Sequence, residues 1–290
     1  MTMYKNAALV LEGGGMRGAY LAGVLDVMHD NGLKFGGYAG TSAGATHLCS
    51  YLSEQRERNR RIDIIHSASK RYMGFGNLVR TGEFFEVEYC YNQIPRVVDP
   101  FDFEKFRENA AQSEFYAAAT NLETGEGAYL RTYDLDIPEE MDKIRASASL
   151  PLMSHIVEVD GMKLLDGGVA DSIPFEIMEK KGFEKQVVIV TQPAGYVKKP
   201  NSLIPLFKML YRKYPKFIEA AANRHERYNQ CLKTLEEWCN RGTAFRIRPS
   251  EPFKIDRLEK DKSKLVKLYD LGIKDMTALM PRLLNFLEGK

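Results

Sequence analysis

LVLEGGGMRGAY, Leu9 to Tyr20, decides the fold: an apolar run stops on three glycines and an amphipathic pattern starts directly after them. Upstream, AALVL (Ala7 to Leu11) reads as a buried strand, short, apolar and ended by glycine. Downstream, Leu21, Val24, Leu25 and Met28 recur at i, i+3, i+4 and i+7, which predicts a helix that Asn31-Gly32 closes. GYAGTSAG (Gly37 to Gly44) predicts a second strand running into a glycine-rich turn, and ATHLCSYLSEQRERNRR (Ala45 to Arg61) continues as a helix. Strand, helix, strand, helix is the pattern of a parallel sheet with crossover helices.

The glycines of the opening stretch also fit the dinucleotide pattern G-x-G-x-x-G at Gly13, Gly15 and Gly18. A dinucleotide site wants an acidic residue ~20 positions further on, at the end of the second strand. Gly40, Thr41 and Ser42 occupy that place, and the chain has no G-K-[ST] of a P-loop. Gly40 to Gly44, GTSAG, is instead G-x-S-x-G, a sharp strand-to-helix turn that carries a nucleophilic serine. A Cβ at Gly40 or Gly44 would clash in such a turn, and Ser42 would project at a helix N-terminus. The glycine run then reads as an oxyanion hole, with the N–H groups of Gly13, Gly14 and Gly15 aimed at the oxygen that turns negative when Ser42 attacks a carbonyl. Arg17 supports that loop or adds positive charge, with a structural salt bridge as the alternative.

A serine hydroxyl needs a base. Of the five histidines, His47 shares the serine's own helix, His29 lies in a helix that precedes the serine, and His66 and His155 have no distinctive setting. Only His225 follows the order Ser–Asp–His, and it lies in a charged helical stretch, NRHERYN, that reads as solvated. The other candidate is Asp166 in LLDGG, at a strand end with Gly167 and Gly168 leaving room beside it. A free Asp has a pKa of about 3.9 and is a weak base at neutral pH. Apolar neighbours such as Leu164 and Leu165 can raise it, whereas a plain Asp-Gly turn is the bland alternative.

With these residues assembled, the chain resembles the patatin-like phospholipases. G-G-G-x-R-G at Gly13 to Gly18, G-T-S-A-G at Gly40 to Gly44, S-A-S-L-P at Ser147 to Pro151 and D-G-G at Asp166 to Gly168 match that family's four blocks in order. The resemblance covers residues 5–195. It implies an α/β fold of three layers, α/β/α, with a mainly parallel central sheet. It also implies a Ser42–Asp166 dyad, an oxyanion hole at the glycine loop, and hydrolysis of lipid acyl esters with no metal and no cofactor. Glu12 stands before the glycines where plant patatins carry Asp, as in bacterial members with LEGGG.

Further along, FDFEKFREN predicts a helix capped by Asp102, and EFYAAATNL a strand. HIVEVDGMKLLDGG predicts a hairpin turning at Asp160-Gly161, and QVVIV (Gln186 to Val190) another buried strand. Residues 66–100 show no assignable period. Residues 201–290 are expected to form a mainly helical, basic extension packed on the same domain. It is helical from Leu203 to about Asn240, then holds one more strand, TAFRIRP, that returns to the sheet, and ends in two helices.

The 290 residues are 44% hydrophobic and 28% charged, enough for one large core. Net charge is −6 over residues 1–200 and +8 over 201–290. The basic part is either a solvated face or a surface for an anionic membrane. LFKMLYRKYPKF poses the same choice locally: Phe207, Tyr211 and Tyr214 form a stripe edged by Lys208, Arg212 and Lys216, which packs on the core or meets lipid. Pro215 breaks that helix. Four scattered cysteines, no signal-peptide pattern and no run of about 18 apolar residues point to a cytoplasmic protein, at most peripheral to the inner face of a membrane. The expected partner is an acyl-ester substrate, with no nucleic acid. An acyltransferase using the same acyl-enzyme, or a lipid- or nucleotide-binding protein without turnover, are the alternative readings.

Overall fold

The computed structural model describes residues 2–290. Eight strands form one mixed sheet: β1 (Thr2–Leu11), β2 (Leu33–Thr41), β3 (Glu114–Asn121), β4 (Gly127–Arg131), β5 (Val157–Val159), β6 (Met162–Asp166), β7 (Lys185–Ile189) and β8 (Ala244–Ile247). Their order is β5-β6-β3-β2-β1-β7-β8, with β4 also paired to β3. The run β3-β2-β1-β7-β8 is parallel, and β4, β5 and β6 add antiparallel pairs on the far side.

The apolar runs of the central strands follow from burial on both faces. Ala7, Leu9 and Leu11 of β1 point into one core, and Ala8 and Val10 into the other. Val187 and Ile189 of β7 alternate with Val188 and Val190 in the same way. One face is covered by α1 (Gly18–Asp30), α2 (Ala43–Leu52) and α3 (Phe103–Ala111), whose N-cap Asp102 accepts from Lys105 N–H at 2.8 Å as expected. The α4 helix (Pro138–Ala148) leads into the S-A-S-L-P block. The short α5 (Phe175–Lys180) and α6 (Ile204–Leu210) come next, and α7 (Pro215–Arg241) covers the opposite face with Tyr228, Leu235 and Trp238. A last helix, α8 (Lys262–Glu288), returns to the first face. Three layers, α/β/α, result.

The hairpin turns where expected, with Asp160 at φ +51° and Gly161 at φ +74°. TAFRIRP does return to the sheet, as β8 parallel to β7. Other expectations need correction. β1 starts at Thr2, not Ala7, and β2 at Leu33. The helix expected through Arg61 stops at Leu52, because a turn with Glu54 and Glu57 at positive φ interrupts it. The two closing helices are one helix of 27 residues that carries Pro281 inside it. The aromatic stripe packs inward: Phe207 and Tyr211 are buried with Phe217, Leu165 and Val169, and Tyr214 packs partly against them. No helix among the described residues is long and apolar enough to cross a membrane.

The contact of α8 with α1 is close and reciprocal. Tyr20 OH donates to Asp275 Oδ2 at 3.1 Å, and Tyr269 OH donates to Asp26 Oδ2 at 2.6 Å. Between these bonds the backbones meet at Gly23 and Gly272, where an added Cβ would lie 2.2 Å from Tyr269 O and 2.4 Å from Tyr20 O. Gly272→Ala should therefore destabilise the whole fold by ~1–3 kcal/mol through overpacking. Chemical denaturation checks this, and an unchanged midpoint would refute the close packing of α8.

Candidate active site

Ser42 stands between β2 and α2 at φ +54°, ψ −122°. A non-glycine residue keeps such a conformation only where its surroundings over-determine it. At Gly40 a Cβ would lie 2.6 Å from Ala45 N, and at Gly44 2.6 Å from Leu11 O, so both flanks must be glycine. Ser42 N–H donates to Ser147 Oγ at 2.9 Å, and the Ser147 hydroxyl donates to Ala118 O at 2.6 Å. Ser147 thus ties the turn to β3, a role that its motif block did not reveal. Thr41 Oγ1 adds a bond to Asp171 O at 2.9 Å.

Asp166 ends β6, fixed by its own N–H donating to Ser149 O (2.7 Å) and by Thr120 Oγ1 donating to its carbonyl (2.8 Å). Its Oδ1 accepts Gly168 N–H at 2.8 Å. Its Oδ2 is buried and has no hydrogen-bond partner. Gly167 lets the chain pass β3, since a Cβ there would lie 2.1 Å from Ala118 O. Ser42 and Asp166 line one cavity of about 170 Å³, together with Gly13, Gly14, Gly15 and Gly168. They share no hydrogen bond here; catalytic bonds often tighten only in the complex with substrate.

The glycine loop divides its donors. Gly13 N–H donates to Ser172 O at 3.1 Å, which withdraws it from the three donors expected. Among the described residues the N–H groups of Gly14 and Gly15 have no protein partner, and both residues border the cavity. Gly15 sits at φ +56° against the carbonyl oxygen of Arg257, 2.5 Å from where a Cβ would be. Arg17 Nε donates to Gly14 O at 3.3 Å and joins no ion pair, so it supports the loop and the salt-bridge alternative falls. Gly18 begins α1 and leaves room for the His47 ring, 2.8 Å from its absent Cβ. Pro151 turns the chain away after Leu150; Leu150 borders the cavity and Pro151 does not. Glu12 is buried and saturated, its Oε2 accepting Thr191 N–H at 2.5 Å and its Oε1 accepting Tyr228 OH at 2.7 Å.

None of the five histidines hydrogen-bonds to Ser42. His225 Nδ1 faces Ala222 O on its own helix, at 3.1 Å. His47 borders the cavity, but both ring nitrogens are engaged: Nδ1 with Ala43 O at 2.6 Å and Nε2 with Asp63 Oδ2 at 2.8 Å. Two acceptors around one ring favour the doubly protonated imidazolium. Burial pushes the His47 pKa down, but Asp63 and Ala43 O outweigh it and the net shift is upward. The pair therefore stabilises the fold fully below the unfolded value of about 6.5, and that contribution fades as pH rises through the higher folded value. The stability difference between wild type and His47→Gln should be larger at pH 6 than at pH 9 in urea denaturation; an equal difference at both would contradict a charged His47.

Beyond Ser42 the cavity extends into an apolar arm. Residues 62–94 supply much of it, mostly from the 66–100 stretch that shows no period: Ile62, Tyr91 and Ile94 lie in irregular helical turns, Tyr72 in a turn and Phe85 in an isolated bridge to Met73, and Leu135, Met141 and Ile144 complete the lining. The polar end adds Arg224 from α7 and Arg257 from the segment before α8. Both arginines escaped the sequence reading, because NRHERYN looks solvated and nothing local marks Arg257.

The sequence profile described as patatin-like phospholipase matches residues 9–178, and that of a domain of unknown function (DUF6363) matches residues 214–288. The uncharacterised Escherichia coli K12 protein YjjU is 31% identical over 241 residues, 73% of this chain and 64% of YjjU. The uncharacterised NTE family protein Rv1063c of Mycobacterium tuberculosis H37Rv is 28% identical over 180 residues, 58% of this chain and 44% of that protein. The chain thus spans less than two thirds of the length of these relatives. The crystal structure of VipD from Legionella pneumophila aligns with a TM-score of 0.48 and 13% identity, over 96% of this chain and 67% of VipD. With its profile covering more than half of the residues, this chain belongs to the patatin-like phospholipase family.

Proposed function

We propose that the protein is a serine hydrolase of lipid carboxylic esters, working through a Ser42–Asp166 dyad. The observation that carries this reading is the orphaned Oδ2 of Asp166, buried in the same cavity as Ser42 while Gly168 N–H holds the other oxygen. A buried acceptor without a partner costs ~1–3 kcal/mol. A site that keeps one has a proton for it to take.

In the first step Asp166 Oδ2 takes the proton of Ser42 Oγ as the oxygen attacks the ester carbonyl carbon. The carbonyl electron pair moves onto oxygen, facing the N–H groups of Gly14 and Gly15, and the positive end of α1 lies behind them. Collapse breaks the ester C–O bond, and the leaving alcohol takes the proton back from Asp166. Water then attacks the acyl-serine with the same base, releasing the fatty acid and restoring Ser42. The apolar side chains of this arm, Ile62, Phe85, Ile94, Leu135, Met141 and Ile144, suit an acyl chain. Membership in a family of phospholipases supports the ester of a lipid as the substrate.

Ser42→Ala and Asp166→Asn should each lower kcat/KM on a neutral acyl ester by at least ~10³-fold, with circular dichroism unchanged. An Asp166→Asn protein that stays folded and keeps a tenth of the wild-type rate would remove the dyad.

A further inference from the structure

Four cations cluster at the polar end of the Ser42 cavity: Arg224 and Arg257 line it, Arg17 and Lys198 lie behind them within electrostatic reach, and among the described residues none of the four is in an ion pair with a carboxylate. Arg17 lies behind the glycine loop on Gly14 O. Arg224 reaches in from α7, with Nε donating to Gly168 O. Arg257 is anchored by its carbonyl, which accepts Met16 N–H at 3.0 Å. Lys198, on the loop after β7, holds Nζ 3.9 Å from the Tyr228 ring centroid. Its backbone is clamped to Asn229 by two bonds of 2.8 and 3.0 Å. Elsewhere in the same C-terminal part, arginines do find carboxylates, Arg241 with Glu237 and Arg246 with Glu236.

Two carboxylates face this cluster, Glu12 and Asp166. Glu12 accepts from Thr191 and Tyr228 and Asp166 accepts from Gly168 on one oxygen, so neither carboxylate is hydrogen-bonded to any of these cations. Positive charge is therefore in excess at this end of the cavity. The side chains register it: burial and then Arg224 push the Lys198 ammonium down to about 7, and burial and then Arg257 push Arg224 down to about 10. Like charges buried together without counter-ions are costly, and a bound anion would offset that cost. Guanidinium forks match the oxygens of phosphate, and a phosphate monoester carries about −1.5 to −2 near neutral pH, the charge this site lacks.

We propose that Arg17, Lys198, Arg224 and Arg257 form a subsite for the phosphate group of the lipid substrate, placing a phosphorylated headgroup beside Ser42 while the acyl chain enters the apolar arm. Its catalytic consequence rests on the hydrolase reading above; the binding of phosphate does not. Lys198, Arg224 and Arg257 lie outside residues 9–178, and the two arginines lie within residues 214–288. The C-terminal part thereby acquires a role, completing the substrate site of the catalytic part.

The test uses the full chain carrying Ser42→Ala, so that bound ester survives. Calorimetric titration below the critical micelle concentration compares 1-oleoyl lysophosphatidate with mono-oleoylglycerol, which share the acyl ester and differ in phosphate. The lysophosphatidate should bind at least ten-fold more tightly, and inorganic phosphate should compete with it. Adding Lys198→Gln and Arg257→Gln should erase that preference, and in the Ser42 protein should lower the lysophosphatidate to monoacylglycerol ratio of kcat/KM at least ten-fold. No preference in the parent, where no cation has been altered, would overturn the subsite. So would a preference that survives in a folded double variant. Competition by inorganic phosphate without any preference between the two lipids would assign the cations to free phosphate and overturn the headgroup assignment. A binding preference with no turnover of either ester would uphold the subsite and defeat the hydrolase reading alone.

Discussion

The structure depends on one strained residue. Ser42 at φ +54° costs ~1–3 kcal/mol that a relaxed turn would not, and everything adjoining the turn is arranged to hold it there. Glycines at 40 and 44 let β1, β2 and α2 converge, and Ser147 carries the Ser42 amide to β3 through two short hydrogen bonds. The same strand receives β6, which ends at Asp166. Ser42 and Asp166, 124 positions apart in the chain, are thus set by neighbouring parallel and antiparallel pairings of β3. A sheet positions groups more rigidly than loops do, which is what the proposed Ser42–Asp166 dyad needs.

The second constraint runs through Glu12. One oxygen holds Thr191 at the end of β7 and the other holds Tyr228 on α7, so the residue before the glycine loop also anchors the C-terminal part. Arg257 O against Gly15 and Arg224 against Gly168 extend that joint to both halves of the site. With α8 locked on α1 at Gly23 and Gly272, the C-terminal part is built into the fold, and its Arg224 and Arg257 line the cavity.

Much of this was legible in the sequence where local pattern and tertiary demand agree. The central strands are apolar without alternation because both faces are buried, and the glycines of GTSAG and of Asp160-Gly161 mark turns that only glycine or a tolerant residue can make. Residues 66–100 were illegible for the opposite reason. Tyr72, Phe85, Tyr91 and Ile94 line the cavity while Met73 and Phe84 enter the core, so no period of 2 or 3.6 survives, and Pro95 sits inside one of the helical turns. The closing helix was read as two, yet it stays whole through Pro281 because packing on α1 outweighs local propensity. The inward turn of Arg224 from a charged stretch, and the withdrawal of Gly13 N–H by Ser172, are contacts between segments far apart in sequence. No window on the chain carries them.

The central claim is that Ser42 is an activated nucleophile, and intact-mass analysis after exposure to a fluorophosphonate tests it most directly. The account predicts one adduct on the wild-type chain and none on Ser42→Ala. A well-folded wild-type chain that acquires no adduct, or an adduct that persists on Ser42→Ala, would contradict it.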